Sequence, residues 1–174
     1  MKILFASPEV APFIKTGGLA DVAGSLPPAL AELGHDVRVI LPLYEQIGED
    51  WRSQMTFVKY YYVRLAWRSI YCGLFQLERN GVTYYFVDNE SYFKRQGIYG
   101  HFDDAERFAY FSRAVIETPG QIDFKPDIIH CNDWQTALVP IYLLEERYRQ
   151  NTLSRTKSVF TIHNIEYQGR YGRD

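Results

Sequence analysis

The chain has 174 residues, of which 47% are hydrophobic and 23% charged, and its formal net charge is −2. That length suits one domain with a sizeable core, and the balanced charge without a basic run argues against a nucleic-acid surface. The N-terminal apolar run is too short for a signal peptide and is interrupted by Glu9, and no stretch reaches the length of a membrane span, so we expect a soluble, cytoplasmic protein.

The first elements are a strand at 3–6, a loop, and a helix. Apolar residues at three- and four-residue steps predict that helix from Gly18 to Leu33, and Gly34 follows its end. The pair Pro27-Pro28 lies inside this range, which predicts one kinked helix.

The sequence KTGGLADV at 15–22 joins this strand to the helix. Gly17 and Gly18 let a ligand approach the backbone, and the free N–H groups of a first helical turn favour an anion. Lys15 adds a positive charge, so this segment suits a phosphate or diphosphate. A tight turn without a ligand is the simpler alternative for two glycines.

Two familiar nucleotide-binding patterns are absent. No G-x-x-x-x-G-K-[ST] occurs, which argues against a triphosphate-binding loop of the Walker type. No G-x-G-x-x-G occurs either, and the second apolar run, 37–41, ends in Pro42 and not in an acid that could bind a ribose. An NAD site is therefore not expected, and we predict no cofactor.

The middle of the chain changes character. Aromatic and β-branched runs at 56–66, 70–77 and 82–87 predict strands, and Asn80-Gly81 predicts a hairpin turn between the last two. An antiparallel excursion thus interrupts the β–α alternation, as either part of a mixed sheet or an appended hairpin.

A loop is expected at 89–101, followed by a helix that starts at Asp103 with a capping-box variant at Glu106 and ends at Pro119-Gly120. Further strands are predicted at 127–131 and 158–162. The helix between them has a predicted inner face made of Ala137, Leu138, Ile141, Leu144 and Tyr148.

Three polar clusters follow the carboxyl ends of predicted parallel strands: 15–21, Asn132-Asp133 and His163-Asn164. Ligands of open parallel sheets bind at that edge, so we expect the clusters to converge on one site. His130 lies within a strand and is interpreted as a core residue. Cys72 and Cys131 lie in apolar runs, which favours buried, reduced thiols and no metal site.

With these residues in view, the sequence closely resembles the bacterial glycogen synthase and plant starch synthase family, glycosyltransferase family 5. The resemblance rests on five segments in the family's order: FASPEVAPFIKTGGLADV at 5–22, GHDVRVILPLY at 34–44, GIYGHFDDAERFAYFSRA at 97–114, HCNDWQTALVP at 130–140 and TIHNIEYQG at 161–169. K-x-G-G-L-A-D-V is the most specific of these motifs.

The resemblance implies an α/β fold: the Rossmann-like N-terminal half of a GT-B glycosyltransferase, with a largely parallel sheet and helices on both faces. Family members are more than twice this length, so residues 1–174 are expected to be the acceptor-side domain, without the C-terminal nucleotide-binding domain. The implied reaction is retaining transfer of glucose from ADP-glucose to the non-reducing end of an α-1,4-glucan.

The resemblance also implies roles for individual residues. Lys15, Gly17 and Gly18 would contact the diphosphate and donor, with Asp21 in the same pocket. Tyr99 and Asn164 would contact sugar, and His163, Asp133 and Asp21 are the catalytic candidates. Neither aspartate is expected to act as a nucleophile, since a front-face reaction is the commoner proposal for this family.

Some alternatives stay open. Glu166 stands where the family more often has a small residue, which leaves the local hydrogen bonding undecided. A glucan-binding module without catalysis, and a related glycosyltransferase using a UDP-sugar, are the other functional hypotheses. This domain alone is expected to be inactive.

Overall fold

The computed structural model describes residues 1–146 and 151–172. The strands in this part of the chain are β1 (Lys2–Ala6), β2 (Asp36–Pro42), β3 (Thr56–Leu65), β4 (Arg68–Arg79), β5 (Val82–Asp88), β6 (Ile128–Asn132) and β7 (Lys157–Thr161). The α-helices are α1 (Gly18–Glu32), α2 (Glu49–Arg52), α3 (Glu90–Phe93), α4 (Asp104–Gln121) and α5 (Val139–Glu146).

The described strands form one mixed sheet in the order β3-β4-β5-β2-β1-β6-β7. Five neighbouring strands, β5-β2-β1-β6-β7, pair in parallel. Strand β4 is antiparallel to both β3 and β5. Asn80 and Gly81 have φ of 51° and 72°, as a tight β-hairpin turn of the favoured twist requires. The predicted antiparallel excursion is therefore confirmed, and it extends the same sheet.

Both faces of the sheet are covered near its centre. On one face the Tyr84 ring packs edge-to-face against Phe13 at 5.0 Å. The strand register places Tyr61 on the opposite face, where its hydroxyl lies 2.7 Å from Thr118 Oγ1 of α4. The loop before α1 thus covers one face and α4 the other.

Helix α1 is one continuous helix that contains both Pro27 and Pro28, as predicted, and Gly34 follows it with φ of 86°. Gly24 allows the loop before the helix to come close, because a Cβ at this position would lie 2.5 Å from the carbonyl oxygen of Ala11. This contact fixes the loop that leads into the KTGGLADV segment.

The segment 89–101, predicted as a loop, contains the short helix α3, and the Asn89 side chain caps it by accepting from Tyr92 N at 3.1 Å. The predicted capping box at Asp103 is wrong, because the Asp103 carboxylate makes no cap hydrogen bond. It instead accepts two bonds from Arg95, at 2.6 and 2.8 Å. A long-range charged partner thus replaces the local one.

Two further predictions about helices are wrong. Helix α4 does not end at Pro119-Gly120 but continues to Gln121. The inner face of α5 is formed by Val139, Leu143 and Glu146, whereas Ile141 and Leu144 are 60% and 59% exposed. The reason is that α5 turns Glu146 toward α4, where it pairs with Arg113, and this contact decides which side is buried; Tyr148 lies outside the described residues.

Among the helices that the structure describes, none is long and apolar enough to cross a membrane.

Candidate active site

A cleft of about 1130 Å³ opens at the carboxyl edge of the parallel strands. Its lining comes from the loops after β1, β6 and β7 and from the loop before α4. Six of the residues predicted for the site line it: Gly17, Gly18, Tyr99, Asp133, His163 and Asn164. The expected convergence of polar loops therefore occurs.

Lys15 and Asp21 are placed differently from these six residues. The Lys15 ammonium lies 2.7 Å from both carboxylate oxygens of Asp21, and the two side chains are 53% and 59% exposed. Neither residue belongs to the lining of the cleft, although Thr16, Gly17 and Gly18 beside them do. The expected phosphate-binding cation is thus paired with the expected pocket carboxylate.

Glu9 organises the loop that carries the two glycines. Its side chain is buried, and Oε2 accepts from Thr16 N at 2.5 Å, Thr16 Oγ1 at 2.8 Å and Gly17 N at 3.3 Å. The backbone N–H groups of Thr16 and Gly17 therefore already donate hydrogen bonds to Glu9. The N–H groups at the start of α1, beginning with Gly18, have no partner within the helix and remain the natural anion donors.

Asp133 connects the loops after β6 and β7. Its carboxylate Oδ1 accepts from the backbone N of His163 at 2.6 Å and of Asn164 at 3.3 Å, and its own N–H donates to Thr161 O at 3.0 Å. The backbone of Asp133 has φ of 58° and ψ of 177°, a region that residues other than glycine rarely adopt. Backbone strain of this kind concentrates at functional sites.

The His163 ring is oriented by Asn132, whose amide oxygen lies 2.9 Å from Nε2. The amide nitrogen of Asn132 donates to Ala6 O at 3.0 Å, so the amide oxygen is the group that faces the ring. In the neutral ring Nε2 then carries the proton and Nδ1 is the acceptor. The amide of Asn164 turns back on its own loop, because Oδ1 accepts from Glu166 N at 3.1 Å.

Tyr99 lines the cleft from the loop before α4, which is fixed by a buried ion pair. Asp104 accepts from Gly100 N at 2.8 Å, and Arg107 donates to Asp104 at 2.6 Å. The Tyr99 hydroxyl is buried and has no hydrogen-bond partner among the described residues. Burial, with Tyr44 and Glu9 nearby, raises the pKa of Tyr99 well above its usual range, so the hydroxyl stays protonated.

An aromatic wall completes the cleft and was not predicted. Trp134 packs on Phe108 at 5.1 Å and on Tyr171 at 5.6 Å. Gly169 has φ of 57°, and a Cβ there would lie 2.3 Å from the Trp134 ring. His130 lies outside the lining: it is half-buried, packs on Phe5 and has Nε2 2.8 Å from Thr161 Oγ1.

The lining also contains residues that sequence reasoning missed, among them Glu9, Asp104, Trp134 and Gln135. One signal could have revealed Glu9, since a charged residue in the loop after a buried parallel strand lies at the ligand-binding edge. Asp104 and Gln135 gave no such signal, because each stands at the start of a helical segment, where polar residues are common.

Comparison with known proteins identifies the family of this chain. The sequence profile described as the starch synthase catalytic domain matches residues 2–174. The chain belongs to the starch synthase catalytic domain family. The predicted resemblance is therefore confirmed over nearly the whole chain.

Individual relatives agree with the starch synthase assignment. The chain is 53% identical to the glycogen synthase of Anoxybacillus flavithermus and 54% identical to that of Geobacillus thermodenitrificans, covering 100% and 99% of this chain. It spans only 36% of the length of each of these relatives.

The fold agrees as well. The catalytic domain of starch synthase IV from Arabidopsis thaliana, bound to ADP and acarbose, superposes with a TM-score of 0.84 at 36% identity, over 97% of this chain and 34% of that one. The E. coli trehalose-6-phosphate structure bound with UDP-2-fluoro glucose has a TM-score of 0.50 at 14% identity, over 94% of this chain and 33% of that one, and shows the fold alone. The prediction of a Rossmann-like GT-B fold is confirmed.

Proposed function

We propose that the protein containing this chain transfers glucose from ADP-glucose to the non-reducing end of an α-1,4-glucan, with retention of configuration. The observation that carries the proposal is the cleft, where the Gly17-Gly18 loop, Tyr99, Asp133 and His163 meet at one sheet edge. Relatives named glycogen synthase at 53–54% identity, and a starch synthase that binds ADP, support this choice of reaction.

The donor side of the proposal rests on charge. Breaking a glycosyl–phosphate bond leaves negative charge on the departing diphosphate, and donors that are already in place stabilise it best. The N–H groups at the start of α1 suit that task, while Lys15 is exposed and lies next to the lining. Its pairing with Asp21 is exposed to water and therefore weak, so a diphosphate can compete for the ammonium.

The sugar side of the proposal rests on the lining residues from the loops after β6 and β7. His163, with its ring fixed by Asn132, suits a hydrogen bond to the transferred glucose or its phosphate, and Asn164 stands beside it. Asp133 suits a positioning role better than a nucleophilic one, because its Oδ1 already accepts hydrogen bonds from two backbone N–H groups. We keep Asp21 as a candidate near the donor.

The test is incorporation of labelled glucose into glycogen by the full-length protein, with ADP-glucose and UDP-glucose compared at equal concentration. We expect transfer from ADP-glucose, weaker transfer from UDP-glucose, and none by residues 1–174 alone. Transfer by the 174-residue chain itself would show that the remaining domain is dispensable, and a preference for UDP-glucose would overturn the donor assignment.

A glucan-binding role without catalysis is the second candidate, and one observation favours it. Tyr60, Tyr62 and Tyr71 are 58%, 56% and 40% exposed on one face of β3 and β4, and the Tyr60 and Tyr71 rings are stacked. Exposed aromatic rings of this kind suit the apolar faces of sugars. Retarded migration in glycogen-containing gels together with no transfer by the full-length protein would favour this role over the enzyme.

The chain is, in this proposal, the N-terminal, acceptor-side part of a longer two-domain enzyme. Support comes from its 36% coverage of the relatives and from apolar side chains left exposed on α5 and β7, among them Ile141, Val159 and Phe160. We further propose a cytoplasmic location, because the two free cysteines, Cys72 and Cys131, are buried as reduced thiols.

A further inference from the structure

A carboxylate is buried next to the donor site proposed above. Glu9 is only 4% exposed and lines the cleft together with Gly17 and Gly18. A negative charge in this lining opposes the binding of a diphosphate, because like charges repel each other. The position of Glu9 therefore needs a reason other than direct contact with the phosphates.

The start of α1 supplies that reason, because it has no side-chain cap. Gly17 occupies the N-cap position, where serine, threonine, aspartate or asparagine commonly accepts a hydrogen bond from the first helical turn. Without such a cap, the N–H groups of that turn stay available to an anionic ligand. Their use depends on the direction in which the backbone enters the helix.

Glu9 fixes that direction. Its Oε2 holds Thr16 through both the backbone N–H and the hydroxyl, and it holds the N–H of Gly17 as well. A charged acceptor forms hydrogen bonds about twice as strong as a neutral one. The carboxylate thus holds the two residues before Gly18 more firmly than a neutral side chain would.

The loop that carries Glu9 is itself anchored. The buried Ser7 hydroxyl, one residue after β1, donates to Glu9 O at 2.7 Å. On the other side of Glu9, the N–H of Ala11 donates to Ala20 O of α1 at 3.0 Å. Glu9 therefore lies on a short segment that is fixed to the sheet at one end and to α1 at the other.

We propose that Glu9 is a positioning residue for the donor diphosphate. It does not contact the phosphates, but it holds Thr16 and Gly17 so that the uncapped N–H groups of α1 face them. The proposal rests on the proposed glucosyl transfer and deepens its donor side.

This role predicts an effect of opposite sign to that of simple repulsion. Removal of a negative charge from an anion site ordinarily strengthens anion binding. Removal of the Glu9 charge should instead weaken it, because three hydrogen bonds to the loop are weakened at once. The repulsion that is relieved acts across an open cleft, where water and salt screen it.

Calorimetric titration of the full-length protein with ADP tests this sign. ADP is the probe because it carries the diphosphate without a sugar. The dissociation constants of wild type, Glu9→Gln and Glu166→Gln are compared. Glu166 is the matched control, since it is also a carboxylate of the cleft lining but is exposed and belongs to the loop after β7.

We expect Glu9→Gln to raise the Kd for ADP about 10-fold, the factor that separates a hydrogen bond to a charged group from one to a neutral group. Glu166→Gln should leave this Kd unchanged or lower it. The amide protons of Thr16 and Gly17 should exchange faster with solvent in Glu9→Gln than in wild type. A Kd that Glu9→Gln leaves unchanged or lowers would overturn the positioning role.

Two further measurements keep the outcomes distinct. If thermal unfolding shows that Glu9→Gln is not folded, Thr16→Val decides, because it removes one of the three bonds and no charge. Weaker ADP binding by Thr16→Val would then support the role, and unchanged binding would overturn it.

Transfer of labelled glucose is measured separately from ADP binding. A wild type that binds ADP but transfers no glucose would refute the proposed function, while the Kd values would still decide the role of Glu9. A wild type that does not bind ADP would overturn that role as well.

Discussion

Two ion pairs beside the cleft have opposite characters. Arg107 and Asp104 are joined at 2.6 Å with side chains 0% and 5% exposed, and they tie α4 to the loop that carries Tyr99. Lys15 and Asp21 are joined at 2.7 Å with side chains 53% and 59% exposed, and they tie the glycine loop to α1.

The difference in burial gives the two ion pairs different roles, one structural and one in ligand binding. A charge that is fully buried cannot lose its partner without a large cost, whereas an exposed pair contributes little and can exchange partners. We infer that the Arg107–Asp104 pair fixes one wall of the cleft. The Lys15–Asp21 pair keeps the Lys15 ammonium beside the cleft, where a ligand can replace Asp21 as its partner. Four predictions test this contrast.

The largest effect is expected from Arg107→Leu. The substitution leaves Asp104 buried without its cation and removes the bonds to Tyr92 O and Ile98 O. The free energy of unfolding should fall by about 3–5 kcal/mol in urea titrations. Arg68→Leu is the control, since its pair with Glu106 is about two-fifths exposed and its loss should change the free energy of unfolding far less. Equal losses in the two variants would contradict the contrast.

Lys15→Met should have the opposite effect in the full-length protein: it should lower activity and leave stability almost unchanged. Glucose transfer should fall about 10- to 100-fold, mainly through the KM for ADP-glucose, because a charge-assisted bond to the diphosphate is lost. Stability should change by less than about 1 kcal/mol. Lys94→Met provides the comparison, because Lys94 also forms an exposed pair, with Glu90 at 2.9 Å, but lies outside the cleft lining. Unchanged Lys15→Met kinetics would exclude the phosphate role.

Asp133 is an intermediate case, a buried carboxylate held by backbone N–H groups. Its φ of 58° with ψ of 177° predicts that Asp133→Gly relieves strain that Asp133→Ala retains. Both variants lose the bonds to His163 and Asn164, so their difference isolates the backbone. Asp133→Ala should be less stable than Asp133→Gly by about 1–3 kcal/mol in urea titrations. The reverse order would mean that Asp133 is unstrained.

The smallest effect concerns pH. Burial, and then the neighbouring His163, lower the pKa of His130 below its usual 6.5. The unfolded chain therefore binds a proton at a higher pH than the folded chain, so stability contributed by neutral His130 is lost as the pH falls below about 6.5. His130→Gln should show a shallower loss of unfolding free energy between pH 7 and pH 5.5. A slope identical to that of wild type would refute the shift.

The sequence predicted the elements that depend on local patterns. The apolar runs and the Asn80-Gly81 turn predicted the strands, and the topology of parallel strands then predicted that polar loops meet at one edge. Gly17-Gly18, Asp133 and His163 do meet there. These predictions succeeded because each follows from a short segment and a general rule.

Side-chain partners could not be predicted in the same way. Glu9 binds Thr16 and Gly17 only because the intervening loop folds back, with Ala11 N donating to Ala20 O at 3.0 Å. The face that α5 buries includes Glu146, which pairs with Arg113 of α4, a long-range contact that periodicity alone did not reveal. In both cases the outcome is decided by contacts made after the chain has folded.

The most direct test of the whole account is a crystal structure of the full-length protein with ADP-glucose bound. We predict the diphosphate within hydrogen-bond distance of the Gly18 N–H at the start of α1, and the glucosyl group between His163 and Tyr99. A diphosphate bound elsewhere, with these residues facing only water, would contradict the account.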